Sequence, residues 1–143
     1  MDLGALYEEV ILDHNRSPRN WGELPDATRR VQGTNPLCGD RLTLSLRMED
    51  DRIADVRFTG EGCAISKASA SMMTQAVKGK SRQEAEALFE GFHDLVTGKA
   101  ADPADRSLGS LRAFAGVARF PTRVKCATMA WHALKEGLSG ERG

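Results

Sequence analysis

The chain has 143 residues, enough for one domain with a substantial hydrophobic core. Its 20 basic and 20 acidic residues cancel, which removes the usual electrostatic argument for binding nucleic acid or an anionic membrane. No apolar run reaches membrane-spanning length, and the N-terminal segment carries acids where a secretory signal would carry bases. We therefore expect a single cytoplasmic domain over residues 1–143, with neither a nucleic-acid nor a membrane partner.

The first half of the sequence predicts a helix followed by a small antiparallel sheet. Apolar residues at helical spacing predict a helix over residues 2–14. The period then changes, and residues 28–33 could form a short strand. Strict alternation over residues 41–48 and 54–59, on either side of a polar turn, predicts a β-hairpin with one buried face.

The second half is predicted to be mostly helical. A helix over residues 64–78 is followed by another that begins at a capping box formed by Ser81 and Glu84. After a polar connector, apolar spacing predicts a short helix over residues 108–118, and a last helix begins near Pro121. The expected fold class is α+β, with about three antiparallel strands near the N-terminal half, packed by helices.

The three histidines are interpreted mainly as structural or surface residues. His14 falls at the end of the first helix, where the dipole favours a cation, and a role near a metal is the less favoured interpretation. His93 is expected to be a solvated residue of its helix. His132 lies six residues beyond Cys126, on a different face of the last helix, and is not expected to bind the same metal.

The chain contains three cysteines, Cys38, Cys63 and Cys126. An odd number in a small cytoplasmic protein argues against a disulfide framework and leaves buried thiols, metal ligands or reactive thiols. Spacing alone favours buried thiols, because there is no C-x-x-C pair. The proline and glycine residues beside the first two cysteines shift the balance, because such turns are more typical of reactive loops than of cores.

The predicted hairpin brings two of these cysteines together. Cys38 and Asp40 come just before its first strand, and Cys63 comes just after its second. Because antiparallel strands return to the same end of a sheet, these residues are expected to be neighbours. With Cys126 they could supply three sulfurs and one oxygen to a tetrahedral zinc ion.

Such a site would place four negative charges against the two positive charges of zinc, so nearby bases are needed. Arg123 and Lys125 flank the third cysteine, and Lys67 lies one helical turn after the second. For Arg123 and Lys125 we favour a role in steadying the thiolates and the carboxylate. For Lys67 a solvated surface position is an equally good interpretation.

Three motifs occur in order along the chain: Asn35–Asp40, Gly60–Ser69 and the segment around Cys126. Together with the first helix and the Pro18–Asn20 loop, they resemble the IscU/NifU N-terminal family of iron–sulfur assembly proteins, over nearly the whole chain. Scaffold-type members carry histidine immediately before the third cysteine, where this chain has Lys125. The stretch between the second and third cysteines is also longer here. Both departures resemble the SufU branch of the family.

This resemblance implies a tightly bound zinc ion held by Cys38, Asp40, Cys63 and Cys126. It also implies a sulfurtransferase that accepts persulfide sulfur from a PLP-dependent cysteine desulfurase of the SufS type and serves downstream iron–sulfur assembly proteins. Cys38 would carry the sulfur after a histidine of the desulfurase replaces it on the metal. The alternatives are a scaffold or carrier that binds an iron–sulfur cluster on the same residues, and a binding module with purely structural zinc.

Overall fold

A computed structural model describes residues 3–36, 39–99 and 106–139 of the chain. The described elements are α1 (Leu3–Arg16), β1 (Arg29–Asn35), β2 (Asp40–Glu49), β3 (Arg52–Glu61), α2 (Ala64–Val77), α3 (Arg82–Val96), a 3₁₀ helix (Arg106–Arg119) and α4 (Pro121–Ser139). The predicted α+β class is confirmed, because the three strands lie in the N-terminal half and the elements described after β3 are helical. Among the described residues, no helix is both long and apolar enough to cross a membrane.

The three strands form one antiparallel sheet in the order β1-β2-β3. The turn between β2 and β3 contains Asp50 and Asp51, whose φ angles of 50° and 63° are typical of a type I′ hairpin. The pairing of β1 with β2 ends where Asn35 lies opposite Asp40. All three strands are longer than predicted, because their ends carry polar residues or glycine and the apolar alternation that marks a strand is lost there.

One face of the sheet is covered by α2 and α4, and the hydrophobic core lies between these layers. At Gly137, a Cβ would come within 2.8 Å of Leu46 Cδ1, so glycine allows α4 to lie close against the sheet. Burying each large apolar side chain contributes about 1.5–3 kcal/mol. The largest side chains that are almost fully buried are Trp131, Phe58, Phe92, Phe114, Leu44, Leu46, Ile53, Met72, Met73, Leu95, Leu111 and Leu134.

Aromatic contacts join α1, α3 and the 3₁₀ helix to α4. The ring of Phe92 on α3 stacks on Trp131 of α4, with centroids 4.7 Å apart, and meets Phe114 of the 3₁₀ helix edge-on at 5.5 Å. Phe114 in turn contacts Tyr7 of α1. The predicted short helix over residues 108–118 is present and is a 3₁₀ helix. Gly109 within it has non-helical angles, with φ of 56° and ψ of −133°.

The predicted capping box at the start of α3 is confirmed. Ser81 Oγ accepts a hydrogen bond from the Glu84 N–H at 3.1 Å, and Glu84 Oε1 accepts one from the Ser81 N–H at 3.0 Å. These reciprocal bonds satisfy two N–H groups that have no partner inside the helix.

Two histidines differ from the sequence-based interpretation. His14, interpreted as a cation at the end of the first helix, is buried, and its Nδ1 lies 2.7 Å from Ser71 Oγ on α2. Burial, reinforced by the positive charge of Arg19, lowers the pKa of His14. His93 is half-buried and stacks on Phe89 at 5.8 Å. His132 lies on the exposed side of α4, whereas Cys126 is buried.

A charge pair joins β3 to the end of α2 and gives a test of the packing. Asp55, with a side chain 15% exposed, lies 3.3 Å from Lys78 Nζ and accepts a hydrogen bond from the Val56 N–H. Burial raises the pKa of Asp55, but these bonds outweigh it and hold the pKa below its ordinary value of 3.8. The resulting stabilisation is present above pH 3.8 and is lost as the pH falls through the lower folded pKa.

We expect Asp55→Asn to lower the free energy of unfolding by about 0.5–1 kcal/mol near neutral pH, measured by urea denaturation. The difference from the wild type should shrink as the pH falls through the folded pKa of Asp55, because the wild-type carboxylate is then protonated as well. Lys78→Ala should cost less in the Asp55→Asn background than alone. An effect of Asp55→Asn that is the same at all pH values would contradict this charge pairing.

Candidate metal centre

Asp40, the first residue of β2, provides a carboxylate that is only 1% exposed. Its Oδ1 accepts a hydrogen bond from the Cys63 N–H at 2.8 Å, and its Oδ2 accepts one from Ser66 Oγ at 2.7 Å and one from Asn35 Nδ2 at 3.3 Å. Burial raises the pKa of this carboxyl, but the hydrogen bonds, including one from the Cys126 thiol, outweigh burial and leave the pKa below its ordinary value. Asp40 is therefore held as a carboxylate anion.

Cys63 lies in the short connection between β3 and α2, where it is the N-cap of α2. Its Sγ accepts a hydrogen bond from the Ser66 N–H at 3.5 Å and lies 3.9 Å from Asp40 Oδ2. The antiparallel pairing of β2 with β3 thus returns the chain to Asp40, as predicted.

Cys126 lies in α4 and is 3% exposed. Asn35 Nδ2 is 3.5 Å from its Sγ, so the last helix is tied to the end of β1 at this point. The neighbouring turn is fixed from α2, because Ser69 Oγ donates a hydrogen bond to the Ala127 carbonyl at 2.5 Å. Because α4 packs against the sheet and α2, Cys126 lies beside Asp40 and Cys63.

Asp40, Cys63 and Cys126 together form the candidate metal centre. One carboxylate oxygen and the two sulfurs all lie within 4.8 Å of one another. Two thiols and a carboxylate are a donor set that suits zinc. Cys38, the fourth predicted ligand, lies outside the described residues, and its position in the sequence is two residues before Asp40.

Gly62 makes room for the Asp40 carboxylate. A Cβ at this position would lie 2.2 Å from Asp40 Oδ1 and 2.8 Å from Cγ. The absence of a side chain at Gly62 therefore allows the chain to pass directly over the carboxylate and to present the Cys63 N–H to it.

Of the three bases predicted to balance the charge, Lys67 lies on α2 and Arg123 and Lys125 lie on α4. Lys67 Nζ lies over the Trp21 ring, 5.1 Å from its centroid, and the Arg123 guanidinium lies over Phe120 at 4.4 Å. Lys125 is exposed, on a groove that also includes the start of the hairpin loop. The hydrogen bonds found for the carboxylate among the described residues come from neutral groups. Charge balance by these bases remains a prediction.

Sequence reasoning missed Asn35 and Ser66, which contact the donors directly. Ser66 stands three residues after Cys63, in the first turn of α2, and this spacing was the available signal. Asn35 precedes a proline, which is equally typical of an ordinary turn.

Tyr7 also lies near the centre. Burial raises the pKa of Tyr7, the positive charge of Arg123 lowers it, and the charges of Cys63 and Cys126 raise it.

Comparison with known proteins identifies the family. The profile of the NifU-like N terminal domain matches residues 6–140. The chain belongs to this family. It is 46% identical over 142 residues to the zinc-dependent sulfurtransferase SufU of Bacillus subtilis (strain 168), covering 99% of this chain and 95% of the relative. The predicted resemblance to the SufU branch is confirmed by this match.

Two further similarities bear on function. The chain is 48% identical over 136 residues to the iron–sulfur cluster assembly scaffold protein IscU of Streptococcus pyogenes serotype M1, covering 95% and 84% of the two chains. A candidate scaffold protein for the SUF system from Fervidobacterium islandicum AW-1 has the same fold, with a TM-score of 0.87 and 35% identity, covering 94% and 98% of the two chains.

We expect Gly62→Ala to lower the free energy of unfolding of the metal-free protein by about 1–3 kcal/mol, because the added methyl group collides with a buried carboxylate. Urea denaturation in the presence of a chelator measures this effect without a contribution from metal binding. Gly116→Ala is the matched control, since a Cβ there meets nothing within 4 Å. A Gly62→Ala protein as stable as the control would contradict the close approach.

Proposed function

We propose that this chain is a zinc-dependent sulfur acceptor and sulfurtransferase that takes persulfide sulfur from a PLP-dependent cysteine desulfurase for iron–sulfur cluster assembly. The convergence of Asp40, Cys63 and Cys126 carries this proposal. The similarity to SufU of Bacillus subtilis supports both the zinc and the transfer of sulfur. Lys125, at the position where scaffold-type members have histidine, supports a desulfurase of the SufS type as the donor.

The proposal extends to the organisation and location of the chain. Residues 1–143 are assigned to one domain, which is supported by the family match over residues 6–140. A cytoplasmic location is supported by the proposed chemistry, because reactive thiols persist in a reducing compartment.

The donor set fits zinc, and Cys38, Asp40, Cys63 and Cys126 would hold it. When bound, zinc stabilises the thiolate form of its cysteine ligands at neutral pH and brings no redox chemistry of its own. The hydrogen bonds to both oxygens of Asp40 keep this side chain ionised and oriented toward the two sulfurs.

Cys38 is the residue that receives sulfur in this proposal. Its thiolate attacks the terminal sulfur of the desulfurase persulfide, and a new S–S bond forms at Cys38 Sγ. The S–S bond of the donor breaks, and the donor cysteine leaves as a thiolate. No external oxidant or reductant is needed, because one persulfide is exchanged for another.

The position of Cys38 in the sequence, between the end of β1 and the start of β2, supports this role. The residues before and after the loop, Asn35 and Asp40, are paired strand residues, whereas Gly39 has a φ of 69° and open space where a Cβ would be. Asp40, Cys63 and Cys126 belong to or directly flank regular elements. Of the four proposed zinc ligands, Cys38 is therefore the one that is released most easily, and the other three keep hold of the metal.

The second candidate function is an iron–sulfur cluster scaffold or carrier. The similarity to IscU of Streptococcus pyogenes favours it, and cysteine thiolates are the usual ligands of such clusters. The two functions predict different metal contents for the purified protein.

We expect purified protein to be colourless and to contain about one zinc ion per chain. Removing zinc with a chelator should lower the melting temperature by roughly 10 °C, because the metal joins the sheet to α4. Elemental analysis, visible absorption and calorimetry measure these quantities. Iron and sulfide in stoichiometric amounts, with visible absorption, would favour the scaffold instead.

We expect Cys38→Ala to reduce desulfurase turnover to the level of the desulfurase alone, since the acceptor thiol is gone. In the wild type, incubation with desulfurase and cysteine should add about 32 Da to the Cys38 peptide, measured by mass spectrometry. Thr34→Ala, an exposed change on the same hairpin, is the control and should behave like the wild type. Unchanged stimulation by the Cys38→Ala protein would overturn the relay and leave the zinc with a structural role.

A further inference from the structure

Asn35 connects two of the proposed metal ligands, Asp40 and Cys126. It is the last residue of β1 and is 5% exposed. Its Nδ2 lies 3.3 Å from Asp40 Oδ2 and 3.5 Å from Cys126 Sγ. One amide group thus reaches a donor at the start of β2 and a donor on α4.

The chemistry of the amide suits this position. An NH₂ group carries two N–H donors, so it has one for the carboxylate and one for the sulfur. It is uncharged, and it can therefore bond to two buried acceptors without adding a charge of its own. Hydrogen bonds to ionised acceptors are stronger than those between neutral groups, so the Asp40 carboxylate is a strong partner for it, and the Cys126 sulfur would become one when a bound metal holds it as a thiolate.

The backbone pairing at Asn35 fixes the base of the connection between β1 and β2. Asn35 and Asp40 face each other as the last pair of the β1–β2 ladder, and residues 36–39 lie between them. The side-chain bond between the same two residues closes the base of the loop a second time. Asp40 is also held at Oδ1 by the Cys63 N–H and at Oδ2 by Ser66. The base of the connection that contains Cys38 is thereby held by contacts that do not involve Cys38.

We propose that Asn35 is a positioning residue that keeps Asp40 and Cys126 in place when Cys38 leaves the metal to accept sulfur. This inference rests on the proposed function. Asn35 would help to retain the zinc ion while only Asp40, Cys63 and Cys126 hold it. Loss of zinc from this three-ligand state would prevent further rounds of sulfur transfer.

The test compares zinc release from the Asn35→Ala and Asn35→Asp proteins, each made with Cys38 present and with Cys38→Ala. Transfer of zinc to a chromogenic chelator gives the rate. Asn35→Ala should release zinc roughly 10–100-fold faster than its parent, with the larger effect in the Cys38→Ala background. Asn35→Asp preserves the size of the side chain but has no N–H and adds a negative charge, so it should be at least as fast.

Thr74→Ala is the matched control, because it also removes hydrogen bonds of a buried polar side chain, and the partners of Thr74 are Ser71, Arg19 and Asn20 rather than the metal ligands. It should release zinc at the parent rate. Cobalt(II) substituted for zinc provides a second readout, since its visible bands report the ligand geometry: Asn35→Asp should shift them and Thr74→Ala should not.

Release at the parent rate from both Asn35 variants would overturn the inference. Equally fast release from Thr74→Ala would also overturn it, because the effect would then reflect general loosening of the packing. The proposed function fails separately, through the absence of persulfide on wild-type Cys38, which leaves the zinc-release comparison unaffected.

Discussion

A carboxylate that is withdrawn from water needs hydrogen-bond donors in its place, and Asp40 obtains them from four parts of the chain. The end of β1 contributes Asn35, the connection after β3 contributes the Cys63 N–H, the first turn of α2 contributes Ser66, and α4 contributes the Cys126 thiol. Each donor fixes its own segment relative to the carboxylate. The ends of the strands and the start of α2 are therefore set around one anion before a metal is considered.

The same contacts explain how a protein with a small sheet brings cysteines together from distant positions in the sequence. The two hairpins bring the residues around positions 35, 40 and 63 to one end of the sheet through local pairing. Cys126 arrives by a different route, through the packing of α4 against the sheet and α2. Aromatic stacking of Trp131 with Phe92 and the close contact at Gly137 hold that helix in register.

Much of this arrangement could be predicted from the sequence, because it depends on local patterns. Alternation predicted the hairpin, and the Ser81–Glu84 spacing predicted the cap of α3. The contacts of Asn35, Ser66 and His14 could not be predicted, because each joins residues brought together by packing. The strand ends were predicted too short for a related reason: buried polar residues such as Asp40 do not follow the apolar alternation.

The location of the third donor on the final helix has a consequence for how the chain matures. Hairpins form within microseconds, whereas docking of α4 must close a much longer loop. We therefore expect Asp40 and Cys63 to meet before Cys126 reaches them. A chain still emerging from the ribosome presents an incomplete donor set. Tight metal capture is then restricted to chains whose last helix has docked, and the metal distinguishes finished molecules from unfinished ones.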